Sequence, residues 1–187
     1  MHPPTINTKN IYLSQINLAT QHLYANALLN KLSNQRYYYT APHNTNRTSS
    51  EQAIQEITDK KFNNTEIFEI ILKSNINQSV GLVAVSQNFP QPNWAHIQLI
   101  IVDKKFRQKG IGTLSLKAVE RKIQTLQKIE CISLQVTPPE PQVIRFWENN
   151  GYIQQSAPAA TGYMSIKKIS GATLVKAIDS QIGRAHV

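Results

Sequence analysis

A chain of 187 residues with 41% apolar content, 7 glycines and 9 prolines is long enough to bury one core and shows neither the composition of a disordered segment nor that of a fibrous repeat. Its single cysteine, Cys131, excludes an internal disulfide and any multi-cysteine zinc site, and the five histidines, His2, His22, His43, His96 and His186, have no metal-ligand spacing, so no metal is expected. The formal charge of +9 invites a nucleic-acid reading, but the basic residues are scattered except for Lys104, Lys105, Arg107 and Lys109, a cluster that a polyphosphate ligand accounts for without DNA.

No run approaches the length of a membrane span, and Met1-His2-Pro3-Pro4-Thr5 lacks the basic-then-apolar layout of a signal peptide, so a cytoplasmic protein is expected. Along the chain, Ile11-Tyr12-Leu13 suits a short first strand. Leu18, His22, Ala25, Leu28 or Leu29, and Leu32 have the spacing of a helix. Tyr37-Tyr38-Tyr39 through Asn46, with Pro42, reads as a loop, and Ser49 with Gln52 resembles a capping box that opens a second helix through Ala53, Ile54 and Ile57. Glu66 to Leu72 and Ser79 to Val85 predict an antiparallel hairpin around a polar turn, and Phe89 to Asn93, with two prolines, leads as a loop into a strand from Trp94.

The stretch from Ile97 to Leu126 carries the most information. Ile97 to Val102 is a nearly continuous apolar run, as expected of a central strand. Arg107-Gln108-Lys109-Gly110-Ile111-Gly112-Thr113 then turns into a helix whose Gly112, Leu116, Val119, Ile123 and Leu126 fall on one stripe. Gly110 permits backbone angles that a Cβ forbids, and Gly112 is expected to let the helix start lie close to the strand. Unbonded N–H groups of the first helical turn, the helix dipole and the charges of Arg107 and Lys109 then suit a pyrophosphate. Cys131 to Val136 predicts another strand, and Val143-Ile144-Arg145-Phe146-Trp147-Glu148-Asn149-Asn150-Gly151-Tyr152 a helix ending in an aromatic, polar residues, glycine and an aromatic. After a loop through Pro158, Gly162 to Ile166 reads as a closing strand.

Arg107-x-x-Gly110-x-Gly112, followed by the run ending at Gly151-Tyr152, resembles the two signatures of the GNAT N-acetyltransferase superfamily, in the right order. The resemblance covers roughly residues 9–169 and implies an α/β fold of the mixed α+β kind: a central mixed, mostly antiparallel sheet of about six to seven strands flanked by helices. The tail 170–187 is expected to be non-functional, and its end, Ile182 to Val187, coincides with what a common sequencing adapter encodes.

The same resemblance implies acetyl-CoA as co-substrate, with its pantetheine arm on the main chain of Ile100 and Val102 and its diphosphate on the amides from Gln108 to Thr113, that is Gln108, Lys109, Gly110, Ile111, Gly112 and Thr113, beside Arg107. The acceptor is expected to be a primary amine, attacking the thioester directly. Many relatives carry a carboxylate eleven residues before the Arg-x-x-Gly-x-Gly motif; here that position is His96, which can serve as the base or can equally be a strand histidine satisfied by a backbone partner. Strand alternation places His96 on the same side as Gln98 and Ile100.

Three further positions depart from or qualify the pattern. Glu140 replaces an asparagine, Trp147 stands where a tyrosine often protonates the departing thiolate, and Gln135 stands where ribosomal-protein acetylating relatives have a glutamate; Tyr152 and Tyr163 are candidate substitutes for the missing acid. Tyr37 to Tyr39 are either substrate contacts or packing. These departures motivate a second reading, a non-catalytic acyl-CoA sensor, and the net charge a third, a nucleic-acid binder. Nothing in the pattern suggests a membrane partner, and a homodimer is compatible with it.

Overall fold

In the computed structural model the described residues are 11–33, 64–73, 78–126, 128–136, 141–156 and 163–168. Trp94–Val102, here β4, is buried along its whole length because its apolar residues occupy both faces of a sheet covered on both sides. Around it run β1 (Ile11–Ile16), β2 (Glu66–Leu72), β3 (Gln78–Gln87), β5 (Cys131–Val136), β6 (Ile153–Ser156) and β7 (Tyr163–Lys168) in the spatial order β1-β2-β3-β4-β5-β7-β6. Of the six pairings only β4 with β5 is parallel. The connection between those two contains the helix α2 (Ile111–Gln124), as a parallel crossover requires.

Helix α1 (Leu18–Ser33) follows β1 directly. Asn17 starts it, with its Oδ1 accepting from Ala19 N at 3.0 Å and its own N–H donating to Gln21 Oε1 at 2.9 Å. Ala25, Leu28, Leu29 and Leu32 then pack on Leu82, Ala84, Leu99 and Ile101 on one face of the sheet. His22, placed on that stripe by spacing, is instead exposed, because the backbone departs from helical angles at Gln21 (φ −125°, ψ 21°) and the apolar phase is set only after it. The other face carries α2 and α3 (Pro141–Asn149), whose Ile111, Leu116, Val119, Ile123, Val143 and Trp147 form one core with Ile97, Ile100, Val102 and Leu134.

Two further places differ from the expectation. Residues 153–156, read as loop, form β6. Ile153 is the one apolar residue of its Ile-Gln-Gln-Ser sequence and is 65% exposed, which is the composition of an edge strand rather than of a buried one. β4 also breaks the alternation expected of it. Against β3, Ala84 pairs with Leu99 and Val85 with Ile97, so Gln98 is an extra residue, a β-bulge. Ile100 therefore shares the α2/α3 face with Ala95 and Ile97, and Leu99 and Ile101 share the α1 face; Ile100 does not lie on the side of His96. The second predicted helix, the Tyr37–Tyr39 stretch, Glu140 and the tail lie outside the described residues.

Beyond the bulge, β3 and β4 approach closely at Gly81, where a Cβ would stand 2.3 Å from the Ile101 carbonyl oxygen. Asp103 N, just past β4, donates to Val80 O at 2.8 Å and extends the same clamp. The Gly81→Ala variant is expected to lose about 1–3 kcal/mol and a few degrees of Tm, measured by differential scanning calorimetry; an unchanged Tm would contradict the close approach.

Candidate active site

The parallel ladder between β4 and β5 is short. It runs from Trp94↔Cys131 to Ile97↔Leu134 and ends there, although β4 continues to Val102 and β5 to Val136. The bulge at Gln98 is the next residue of β4, and bulges bend the strand that carries them, so the two strands part at the point where the extra residue is inserted. Ile100 and Val102 lie in the parted segment. Their side chains are in the core, so the main chain is what they have to offer a ligand in the opening.

The chain leaves β4 through a built turn. Asp103 Oδ1 accepts from Lys105 N at 3.0 Å and caps the 3-10 turn Lys104–Phe106. Arg107 is extended and its Nε donates to the Val102 carbonyl at 2.8 Å, tying the turn back to the end of the strand. Gln108 then takes φ 57° and Gly110 φ 77°, ψ −3°, both left-handed, before α2 begins at Ile111. A Cβ at Gly110 would meet nothing within 4 Å, so it is the backbone angle and not space that calls for glycine there. The carbonyl of Gly110 accepts the first helical bond, from Leu114 N at 3.0 Å; Gly110 supplies no side-chain cap and the first turn contains no acidic residue. The N–H groups of Ile111, Gly112 and Thr113 precede the helical ladder and suit an anion.

Within this turn, side chains do not all serve as expected. Ile111 is wholly buried and its side chain belongs to the core, so only its main chain is left to serve a ligand. Gly112 is only half-buried, and its missing Cβ makes room for Phe146 of α3, 3.2 Å from where that atom would be, rather than for the strand. Lys109 Nζ, exposed, donates to the Lys105 carbonyl at 2.9 Å.

His96 sits in β4 one residue before the ladder ends, on the face opposite Ala95 and Ile97, and is 3% exposed. Its Nδ1 lies 2.9 Å from Ser133 Oγ, and its buried Nε2 has no hydrogen-bond partner among the described residues. The loop before β4 turns on Asn88 and Asn93, both at positive φ and joined by Asn93 N donating to Asn88 Oδ1 at 3.0 Å. This brings the Phe89 ring edge-on to His96, 5.2 Å between centroids. Burial pushes the imidazole down from 6.5 to about 4. Close by on the same face, Gln98 Nε2 donates to Ser86 Oγ at 3.1 Å, and Thr65 Oγ1 lies 2.7 Å from that hydroxyl. Ser133, Ser86 and Thr65 were not singled out by sequence; a lone serine in an apolar strand carries no signal until the pairing register sets it opposite a histidine.

The candidate acids fare differently. Trp147 is buried and stacks edge-on with Phe146 and Tyr152, at 5.1 and 5.0 Å, so it fills the core. Tyr152 donates to Glu120 Oε1 at 3.1 Å, and Lys167 Nζ bridges the two carboxylate oxygens of Glu120 at 2.9 and 3.1 Å and the Asn150 carbonyl at 2.9 Å. Burial first, and the Glu120 charge second, push the Tyr152 phenol well above its ordinary range, so it is a clamp between α2 and the turn after α3 and no proton donor. The side chain of Tyr163 is outside the described residues. Among the described residues no group of three or more metal-ligating side chains occurs, and no helix is long and apolar enough to cross a membrane.

The family model described as "Acetyltransferase (GNAT) family" matches residues 29–152, from within α1 to the end of the α3 signature. The chain belongs to the GNAT acetyltransferase family. Members of this family are enzymes that transfer an acyl group from acetyl-CoA. No curated protein matches this GNAT chain by sequence. Solved structures do. An acetyltransferase from Thermus thermophilus is similar with a TM-score of 0.63 at 15% identity, over 86% of this chain and 97% of that one. The ribosomal-protein-S18-alanine N-acetyltransferase from Escherichia coli has a TM-score of 0.59 at 13% identity, over 88% and 97%. A spermidine N-acetyltransferase from Vibrio cholerae has 0.58 at 15%, over 86% and 94%. At such identities these likenesses speak for the GNAT fold alone.

A histidine whose folded pKa lies below its unfolded value stabilises the fold above the unfolded pKa, and that stability is lost as pH falls from about 6.5 towards 4. His96→Gln is therefore expected to flatten the dependence of denaturation free energy on pH across that window by up to one proton's slope, measured by urea titration; an unchanged slope would show that His96 ionises freely in the fold.

Proposed function

We propose that this GNAT protein transfers the acetyl group of acetyl-CoA to a primary amine of a small molecule or protein by direct attack in a ternary complex. The observation that carries the proposal is the coincidence of the parted β4–β5 edge with the left-handed turn and uncapped helix start that follow it. The main chain of Ile100 and Val102 would hold the pantetheine arm as an added strand would be held. The amides of Gln108, Lys109, Gly110, Ile111, Gly112 and Thr113 would take the diphosphate. Arg107 would brace the turn through Val102 and add its charge, and Lys109 would add a second, exposed one.

The co-substrate supplies an activated thioester, and the chain's task is to present a neutral amine to it. An alkylammonium with a pKa of about 10 cannot hand its proton to an imidazole held near 4, so His96 acts as a hydrogen-bond acceptor at Nε2 that orients the amine after its proton has left through water. The departing thiolate, with a pKa of about 8.5, needs no donor, which fits the engagement of Trp147 and Tyr152 in the core. The catalytic domain is proposed to span 9–169, with 170–187 dispensable.

The departures at His96 and Trp147 also favour a second reading, a sensor that binds acyl-CoA without turning it over. CoA release with polyamines, amino acids, aminoglycosides and peptides separates the two; stabilisation by acetyl-CoA with no release on any acceptor would favour the sensor. Gly110→Asp, whose Cβ would meet nothing within 4 Å but which strains the backbone and places a carboxylate at the helix start, is expected to weaken acetyl-CoA binding at least roughly tenfold by calorimetry. Unweakened binding would contradict the assignment. With an active acceptor, kcat/KM is expected to rise with pH towards the acceptor's own pKa of about 10, with no limb near 6.5. A limb near 6.5 that vanishes in His96→Gln would show instead a freely titrating base.

A further inference from the structure

His96 and Ser133 are register partners in the β4–β5 ladder, one pair before it ends. Ser133 is wholly buried; its Oγ stands 2.9 Å from His96 Nδ1 and, at a longer 3.4 Å, from the Ala95 carbonyl oxygen. The neutral imidazole and the hydroxyl have two hydrogens to place between them. In one arrangement Ser133 donates to Ala95 O and His96 Nδ1–H donates to Ser133 Oγ; both hydrogens have acceptors, and only the Nε2 lone pair is unmet. In the other, Ser133 donates to Nδ1 and the ring proton sits on Nε2, a buried atom with no partner among the described residues. An orphaned buried N–H is the rarer and costlier defect, because a donor stripped of water has nothing to replace it.

We infer that Ser133 is a positioning residue that holds the ring proton of His96 on Nδ1 and so keeps Nε2 an acceptor for the incoming amine. Phe89, edge-on to the ring, restrains it from another side. Ser133 touches neither substrate; it acts through His96, and since β5 carries it, the tautomer of a β4 side chain is set by the neighbouring strand. What Nε2 meets rests on the acetyltransferase reading, whereas the tautomer does not.

The experiment is two-bond proton–nitrogen correlation NMR on protein labelled with 15N-histidine at pH 7, the His96 signals being those lost in His96→Gln. The expected result is a protonated Nδ1 and an unprotonated Nε2 in the wild type. Ser133→Ala is expected to move the ring towards the Nε2–H form and to lower kcat roughly tenfold or more while KM for acetyl-CoA stays within about twofold, and Ser133→Thr, which keeps the hydroxyl, to restore both. A wild-type proton on Nε2, or an unchanged tautomer in Ser133→Ala, overturns the inference. Should Ser133→Ala fail to fold, the wild-type spectrum decides by itself. The Nδ1–H form in a protein with no turnover on any acceptor would sink the acetyltransferase reading and leave the role of Ser133 standing.

Discussion

β4 has two neighbours and keeps step with them over different lengths. With β3 it pairs from Ala95 to Val102, with one register shift on the way, and with β5 only from Trp94 to Ile97. The mismatch is accommodated by one residue, Gln98, which β3 does not match and after which β4 exchanges the faces of its side chains. Everything distinctive about the site follows from that insertion. It coincides with the end of the β5 ladder, one pair beyond His96 and Ser133, and leaves Ile100 and Val102 with their side chains in the core. A strand that paired fully on both sides would have no edge along which an extended ligand could lie.

The turn after β4 is fixed to the same strand. Arg107 bonds the carbonyl of Val102 and Asp103 bonds both Val80 and Lys105, so the helix start is referenced to the end of β4 by three hydrogen bonds rather than by a free loop. Two left-handed residues, Gln108 and Gly110, then aim the chain into α2. Anchoring of this kind keeps the helix start and the segment of β4 beyond the β5 ladder at a constant separation, which is what a long ligand with a phosphate end and a reactive end would require. The Tyr152–Glu120–Lys167 clamp fixes the far side of α2.

Much of this was legible because it is local. The need for glycine at position 110, the uncapped helix start and the strand–turn–helix order are consequences of adjacent residues, and the pattern Arg107-x-x-Gly110-x-Gly112 identifies the family from them. What was not legible is non-local. The bulge at Gln98 is a relation between β4 and β3, and strand periodicity alone assigns Ile100 to the wrong face. The partner of Gly112 is Phe146, from a different helix on the same face of the sheet. Tyr152 looked available as an acid until Glu120 and Lys167 were brought to it by packing, and His96 looked like an ordinary imidazole until burial beside Phe89 and Ser133 lowered its proton affinity. β6 escaped notice because an edge strand need not be apolar.

The amides around Gly110 and the main chain of the parted β4 segment are together proposed to hold coenzyme A. Backbone amide NMR of the 15N-labelled protein, titrated with CoA, tests it directly. The claim predicts that the signals of Gln108 to Thr113, with those of Ile100 and Val102, move to saturation with a single dissociation constant. Saturable shifts confined to other parts of the chain, with those signals unmoved, would contradict it.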